Sequence, residues 1–441
     1  MTDSLDRRDF VKLSSAGIAA ASLLGTTSAQ TPRGANEKLV VALIGCGGRG
    51  MSDADRFKNL PNVEVAFVCD VDDARRASAS KSLNVQADRG FSDMRRVLDD
   101  KSIDAVIVAT PDHWHSPASI LACDAGKHVY VEKPISHNIR EGRLLVEASA
   151  RNKTLVQHGT QCRSTSTMIE AVQRLREGII GDVLVAKCWN IQRRGQLPPG
   201  KDTSPPAGFD YDSWVGPATM IPYRTNRVHQ RWTMWYHFGV GEAGNDGVHD
   251  LDYTRWGLGV ETHPTKISAN GGKYFFSDET EFPDTQQATF EYPGDGSTGS
   301  TGSRRLLIYE QRLWSTNYPH NCDSGAEFYG TKGQMFLSRR GKLSVLDDRN
   351  AAMKLDVQLV AQDDAAHVKN FCDCIRSGTK PNADALTGHL STSLAHLANI
   401  ATRVGRSLTF DPKNEQFIGD DEANQLIRRE YRDHWGTPRD V

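Results

Sequence analysis

With 441 residues the chain exceeds what one hydrophobic core usually organises, so two domains with a large buried interior are expected. Its 53 Lys and Arg stand against 55 Asp and Glu, which excludes a broad basic field for nucleic acid and a polybasic patch for a membrane surface. That balance favours a small-molecule partner.

The first segment reads unlike the rest. Arg7-Arg8-Asp9-Phe10 precede an uncharged stretch from Leu13 to Leu24, and Thr27-Ser28-Ala29 offers a small-residue cleavage site. The segment resembles a twin-arginine export signal, which implies passage through that export machinery to the periplasm or the extracellular side. The apolar run is too short and too rich in Ala, Ser and Gly for a bilayer-spanning helix of about 20 residues, so no stable membrane insertion is expected. Residues 1–36 are therefore set apart as signal and linker.

From residue 37 strands and helices alternate: an apolar run Leu39–Ile44, a helical stretch near Ser52–Lys58, then runs at Val63–Cys69, Ala105–Ala109, His128–Val131 and Thr154–His158. Short apolar runs separated by polar helical windows predict a doubly wound parallel sheet closing near residue 160. Over residues 161–410 the texture changes to a helix at Ser166–Gly178, a Pro- and Gly-rich loop from Gly195 to Pro222, and strands at Val183–Gln192, Thr265–Gly271, Gln287–Tyr292, Arg305–Gln311, Ala326–Tyr329 and Gly333–Ser338. Successive strands without intervening helices predict an α+β domain with a large, mostly antiparallel open sheet. A low-complexity stretch, Gly294–Ser303, reads as a mobile loop. Two late helices, His367–Ser377 and Gly388–Gly405, are expected to pack back on the first domain, and residues 411–441 read as a polar tail. Of the eight cysteines, Cys46, Cys69 and Cys123 lie in apolar segments as buried thiols, and no metal or disulfide spacing is present.

The chemistry sits in four motifs. Gly45-x-Gly47-Gly48-Arg49-Gly50 follows the first strand and opens a helix. Its glycines suit a tight turn, close approach of a pyrophosphate and helix–strand packing. Asp70 ends the second strand, where a carboxylate accepts bonds from an adenosine ribose and repels a ribose phosphate, so NAD is preferred over NADP. Arg49 and Arg75 leave room for NADP as the less favoured cofactor. Thr110-Pro111-Asp112-His113-Trp114-His115 leaves the carboxyl end of a parallel strand, where ligands of open α/β sheets bind. Thr110 and Pro111 are read as cofactor-lining, and His115 either touches the cofactor or caps the next helix.

Glu132-Lys133-Pro134 follows the next strand. In order, GCGGRG, ATPDHWH, VEKP and GVHDLDYTRWGLG resemble the glucose-fructose oxidoreductase, inositol dehydrogenase and rhizopine-catabolism (Gfo/Idh/MocA) family over residues 38–410. The resemblance implies that Glu132 and Lys133 border the cofactor and that Lys133 lies between nicotinamide and substrate. It also implies that His249 is the proton-transfer partner. Oxidising a secondary alcohol needs a proton acceptor beside the departing hydride, a task lysine and histidine can share. Asn245, His249 and Asp252 are placed on one face of a single helix by their spacing, and Asp252 is counted with Asn245 as a candidate substrate contact. Many family members carry aspartate where this chain has Asn245, so Asn245 is read as a holder of a substrate hydroxyl or as a helix cap. Gln161 and Arg163, at the join between the domains, are candidate polyol contacts or hinge residues. Trp232–Phe238 offers rings for stacking a sugar or filling a core.

Three functions follow as expectations. The first is NAD-dependent hydride transfer to or from a sugar or cyclitol alcohol. The second is a glycoside hydrolase or lyase that oxidises a ring carbon transiently and keeps its NAD, a tightly retained cofactor suiting an exported enzyme. The third is a cofactor-holding binding protein. The open sheet face suggests a homo-oligomer.

Overall fold

The computed structural model describes residues 37–229, 231–294 and 304–441. The twin-arginine segment and the low-complexity stretch beyond Gly294 lie outside them. The first half alternates β1 (Leu39–Ile44), α1 (Gly48–Lys58), β2 (Val63–Cys69), α2 (Asp73–Leu83), β3 (Gly90–Phe91), α3 (Met94–Asp99), β4 (Ala105–Val108), α4 (Asp112–Asp124), β5 (His128–Val131), α5 (Ile139–Asn152) and β6 (Val156–His158). The six strands pair in parallel in the order β3-β2-β1-β4-β5-β6, so the carboxyl ends of β1 and β4 are neighbours at the centre. Both faces are covered, which is why β4 (Ala-Val-Ile-Val) and β5 (His-Val-Tyr-Val) are buried at every position. Helix ends follow local chemistry: the Asp72 carboxylate accepts from the Ala74 and Arg75 amides at the start of α2, and Asn84 closes that helix in the left-handed region.

The second half comprises α6 (Ser166–Arg176), β7 (Val183–Ile191), α7 (Tyr211–Val215), α8 (Gly241–Asn245), α9 (Gly247–Leu258), β8 (Lys266–Gly272), β9 (Thr285–Tyr292), β10 (Arg305–Arg312), β11 (Ser324–Gly330), β12 (Gly333–Ser338), β13 (Lys342–Asp347), β14 (Ala352–Met353), α10 (Asp364–Ser377), α11 (Ala385–Val404), β15 (Leu408–Asp411), β16 (Gln416–Phe417) and α12 (Asp421–Gln425). Its ten strands run β14-β13-β12-β11-β7-β10-β9-β8-β15-β16. All pairs are antiparallel except β7 with β10, which are parallel, so the sheet is mixed and mostly antiparallel. One face alternates into a core with α9 and α11, as in β9, where Gln286, Ala288, Phe290 and Tyr292 are buried and their neighbours are not.

The late helices join the two halves. Val368, Phe371, Cys372 and Ile375 of α10 enter the same core as Leu43, Phe57 and Tyr130 of the parallel domain. The segment after Asp411, expected to be a tail, is part of the body: Glu415 sits 2.5 Å from the Arg143 guanidinium of α5, and the Tyr431 hydroxyl donates to Glu141 at 2.5 Å. Its polar composition hid this, because these polar anchors are joined by only a few scattered apolar residues, Phe417, Ala423 and Ile427, which enter the second domain's core.

The long loop from Gly195 also has a core of its own, in which Phe209, Tyr211, Trp214, Tyr223, Trp235 and Phe238 pack together. It is clasped to the parallel domain by Asp210 N–H donating to Val71 O (3.0 Å), Asp73 N–H donating to Gly208 O (2.9 Å) and the His113 ring against Trp214 O (2.8 Å). Most of the Trp232–Phe238 rings thus serve packing.

Candidate active site

A cleft of about 440 Å³ opens at the carboxyl ends of β1, β2 and β4, bordered by Gly45, Gly47, Gly48, Arg49, Asp70, Thr110, Pro111, His115, Glu132, Lys133 and Asn245. The glycine turn is shaped for a close-approaching ligand. Gly45 has φ +95°, and a Cβ there would lie 2.5 Å from Ala109 O; a Cβ on Gly50 would lie 2.0 Å from Gly45 O. Gly48 has open space where a Cβ would be, α1 starts without any side-chain cap at Gly47, and its first turn holds no acid. Free N–H groups at the start of an eleven-residue helix, facing a cavity, suit a pyrophosphate. The Thr110 hydroxyl, buried beside the turn without a hydrogen-bond partner, is a further group that a ligand would satisfy. These residues fit a dinucleotide.

Asp70 is held by the backbone: its two oxygens accept from Cys46 N–H (2.7 Å) and Asp72 N–H (2.9 Å). Burial pushes its carboxyl above the usual aspartate range. Arg75 lines the same end of the cleft, as do Ser213, Trp214, His229 and Trp232 from the long loop, with His229 Nε2 3.2 Å from Asp72. Those loop residues carry no sequence signal for this position, since only the fold of the loop brings them over the cleft. Arg49 borders the cleft but its guanidinium is committed to protein carboxylates, lying 2.9 Å from Glu132, 2.9 Å from Asp53 and 3.0 Å from Asp364 of α10, so it ties the glycine helix to the second domain.

Glu132 is fully engaged, accepting from Arg49 and from Gln161 Nε2 at 3.0 Å. His115, in the first turn of α4, has its ring nitrogens 2.7 Å from Thr110 O and 2.6 Å from Pro134 O, so it sits between two carbonyls, to one of which its neutral ring donates. The Lys133 ammonium donates to Asn245 Oδ1 at 3.0 Å, bringing the parallel domain and the second domain together at the inner end of the cleft. Asn245 Nδ2 is 3.4 Å from Glu242, and Glu242 is 2.5 Å from Arg194.

The expected single helix is two. α8 ends at Asn245 and α9 starts at Gly247, with Asp246 (φ −114°) between them, so Asn245 closes one helix while His249 and Asp252 lie on the next. Asp246 makes no cap but pairs with Arg339 at 2.8 Å, which, with nearby Lys133 and His249, holds its carboxyl below the usual range against burial. His249 is buried in the first turn of α9 and does not border the cleft; its Nδ1 has no hydrogen-bond partner. Burial, with the Arg339 and Lys133 cations adding, lowers its pKa well below the ordinary histidine value, so the ring is neutral at pH 7.

Three expected substrate contacts are internal. Arg163 Nε donates to both oxygens of Asp252 at 2.9 Å, its guanidinium lies over Trp256, and Ser391 of α11 donates to Asp252 at 2.6 Å. Gln161 is buried between Tyr130 and Glu132. The reason is electrostatic: buried charges at a domain join pair with one another rather than face a cavity. Asp112, missing from the predicted contacts although it follows Pro111, does line the cleft and accepts from Val240 N–H at 3.2 Å. Burial raises its pKa to about 8, with the Lys133 cation opposing the rise. Beyond Asn245 a second, polar cavity of about 430 Å³ adjoins the cleft, with Arg193, Arg194, Arg231, Thr233, Glu242 and Asp278 on its walls.

Among the described residues one cluster has metal-ligand composition, His263, His389 and Glu415. Both Nε2 atoms lie on the same Glu415 oxygen, at 2.8 and 2.7 Å, and Arg143 occupies its flank at 2.5 Å. A guanidinium already supplies the positive charge there, so the trio is a charge-compensated hydrogen-bond hub.

Comparison with known proteins agrees with this layout. Residues 39–160 match the model of an oxidoreductase family with an NAD-binding Rossmann fold, and residues 187–293 and 320–437 match that family's C-terminal alpha/beta domain. The scyllo-inositol 2-dehydrogenase (NAD(+)) of Bacillus subtilis is 23% identical over 84% of this chain and 96% of its own length. A glycosyl hydrolase family 109 protein of Shewanella amazonensis is 31% identical, but the match spans 41% of this chain and 44% of that relative. Among solved structures, levoglucosan dehydrogenase in complex with NADH and levoglucosan superposes with a TM-score of 0.64 at 17% identity, covering 85% of this chain and 99% of that one. The aldose-aldose oxidoreductase of Caulobacter crescentus gives 0.63 at 17% identity, over 85% and 100% of the two chains. With both of its domains matched and a glycine turn shaped for a dinucleotide, the chain belongs to the Gfo/Idh/MocA family of NAD-binding oxidoreductases.

Proposed function

We propose that this oxidoreductase moves hydride between NAD and a secondary alcohol of a sugar, sugar derivative or cyclitol, with Lys133 managing the hydroxyl proton. The observation that carries the reading is the 3.0 Å bond from Lys133 Nζ to Asn245 Oδ1, where the glycine-lined cleft meets the polar cavity. Bound NAD supplies the hydride acceptor or donor. The α1 amides and Thr110 would hold its phosphates and Asp70 its adenosine ribose. Asn245 orients Lys133, whose ammonium can hand a proton to a forming hydroxyl and whose neutral amine can take one from it. The hydroxyl-rich substrate would occupy the polar cavity, where Arg194 and Glu242 present charged hydrogen-bonding groups. Relatives that act on inositol and levoglucosan support this substrate class. Purified protein supplied with NAD and screened over sugars and cyclitols is expected to produce absorbance at the wavelength of reduced nicotinamide; silence across the panel would overturn the reading.

A second reading is favoured by the family 109 relatives: cleavage of a glycoside through transient oxidation, the cofactor being regenerated in each cycle. Release of a chromogenic aglycone without net nicotinamide reduction, lost when NAD is stripped, would select it. We also infer that the protein is exported through the twin-arginine route with its NAD bound, supported by Arg7-Arg8 and the apolar run Leu13–Leu24. No helix among the described residues is long and apolar enough to cross a membrane. Association into a homo-oligomer is supported by the half-exposed sheet face, where Val185, Leu306 and Ile308 accompany the exposed Tyr329. Cell fractionation of the Arg7-Arg8→Lys-Lys variant tests export, and light scattering tests assembly.

A further inference from the structure

Two adjoining cavities, of about 510 and 550 Å³, lie apart from the cofactor cleft and share no wall residue with it. They are bounded by α11, the β8–β9 loop, the Tyr236-His237 segment and the chain after Leu426, and both are lined by Tyr236, His237 and Arg429. Two guanidinium groups stack on the Tyr236 ring, Arg403 with its Cζ 4.0 Å and Arg429 with its Cζ 3.4 Å from the ring centre. Among the described residues neither arginine makes an ion pair or a side-chain hydrogen bond. The Nε of Arg429 and the Nδ1 of His237 are enclosed without any partner. The nearby carboxylates are committed elsewhere: Glu281 accepts the Tyr236 N–H at 2.5 Å, and Glu141 accepts from the Tyr431 hydroxyl and the His137 N–H. Lys273, on the same wall, is held by Asp278 and Thr280.

Taking part of the half-buried Arg429 guanidinium out of water with no bonded carboxylate is costly, and it shares with the more exposed Arg403 a space large enough for a small organic molecule. Burial lowers the pKa of Arg429 to about 9, with Tyr431 and Glu141 nearby opposing the fall. Stacking on Tyr236 offsets part of that cost but leaves the N–H edges of both forks free, and such edges match planar or tetrahedral oxyanions. We propose that these two adjoining cavities form an accessory site for a small molecule bearing a carboxylate or phosphate group, gripped by Arg403 and Arg429. Its wall includes His137 and Asn138, which follow the Glu132-Lys133-Pro134 turn, and His137 Nε2 lies 3.1 Å from Tyr236 O. An occupant would therefore rest against the segment that carries Lys133.

The test uses the whole protein saturated with NAD, so that the pyrophosphate cradle is filled, and titrates inorganic phosphate and, separately, citrate against sodium chloride of equal ionic strength. A saturable rise in Tm with at least one of the two is expected, and which of them acts identifies the oxyanion. Arg403→Gln, at an exposed position, is expected to weaken that midpoint at least tenfold, and Arg429→Gln further, with NAD affinity unchanged. No saturable rise with either anion, or the same midpoint in the Arg403→Gln variant, would overturn the proposal, whether or not Arg429→Gln folds.

Discussion

Replacing Lys133 by alanine removes an ammonium from the cleft wall and leaves Asn245 Oδ1, on the border with the polar cavity, without its 3.0 Å donor. The pyrophosphate cradle is untouched, because it is made of the α1 amides and the glycine turn, so NAD affinity is expected to stay within about threefold of the parent. Loss of a positioned proton donor or acceptor lowers kcat about 10²- to 10⁴-fold, or about 3–5 kcal/mol in the barrier. Steady-state formation of reduced nicotinamide measures kcat, fluorescence titration measures NAD binding, and a deuterated carbinol shows whether chemistry remains rate-limiting. Lys133→Arg keeps a charge but is a poor proton acceptor at neutral pH, so it should be nearly as slow as the alanine variant. If Lys133→Ala kept kcat within threefold of the parent, proton transfer through this residue would be refuted.

Further outcomes follow from the same geometry. Asp70→Ser removes the acceptor held by the Cys46 and Asp72 amides and leaves Arg75 at the ribose end, so NAD should bind about tenfold more weakly while the NADP/NAD preference rises, as read by KM for each cofactor. Glu415→Gln disconnects Arg143, His263 and His389 from their shared carboxylate and is expected to cost about 3 kcal/mol at pH 7. Since Glu415 is held below the ordinary glutamate range, its contribution is full above about pH 4.5 and fades as pH falls, so the gap in Tm between parent and variant should narrow in acid. His113, His367 and His389 are buried with pKa values of about 4. The unfolded chain binds their protons below about pH 6.5, so stability should decline from pH 6.5 toward 4 by the order of 1–3 kcal/mol per histidine. A flat urea midpoint over that range would contradict it.

How much of the site was legible depended on the distance over which each residue acts. The glycine turn, Asp70, Thr110 and Lys133 are placed by strand ends, and a parallel sheet aligns those ends, so spacing along the chain located them on the cleft. Asn245 reached the cleft for a different reason from the one expected, because the chain breaks at Asp246 and presents it from α8. Arg163, Asp252 and Gln161 show the opposite case: polar residues near a domain join were read as ligand contacts, but a buried charge is satisfied by whichever partner the packing brings, and that partner is another side chain. The segment after Asp411 misled in the same way, since its anchors to Arg143 and Glu141 lie far away in sequence.

The sequence by itself determined the parallel domain almost strand for strand, the mostly antiparallel second domain and the cofactor, because alternating apolar runs and a glycine turn act locally. Tertiary structure alone decided the parallel β7–β10 pair, the loop residues Trp214 and His229 over the cleft, the meeting of Lys133 with Asn245 and the unpaired arginines on Tyr236. The physical reason is that hydrophobic periodicity and turn chemistry are properties of neighbouring residues, whereas the partner of a buried charge is chosen by the whole chain closing around it.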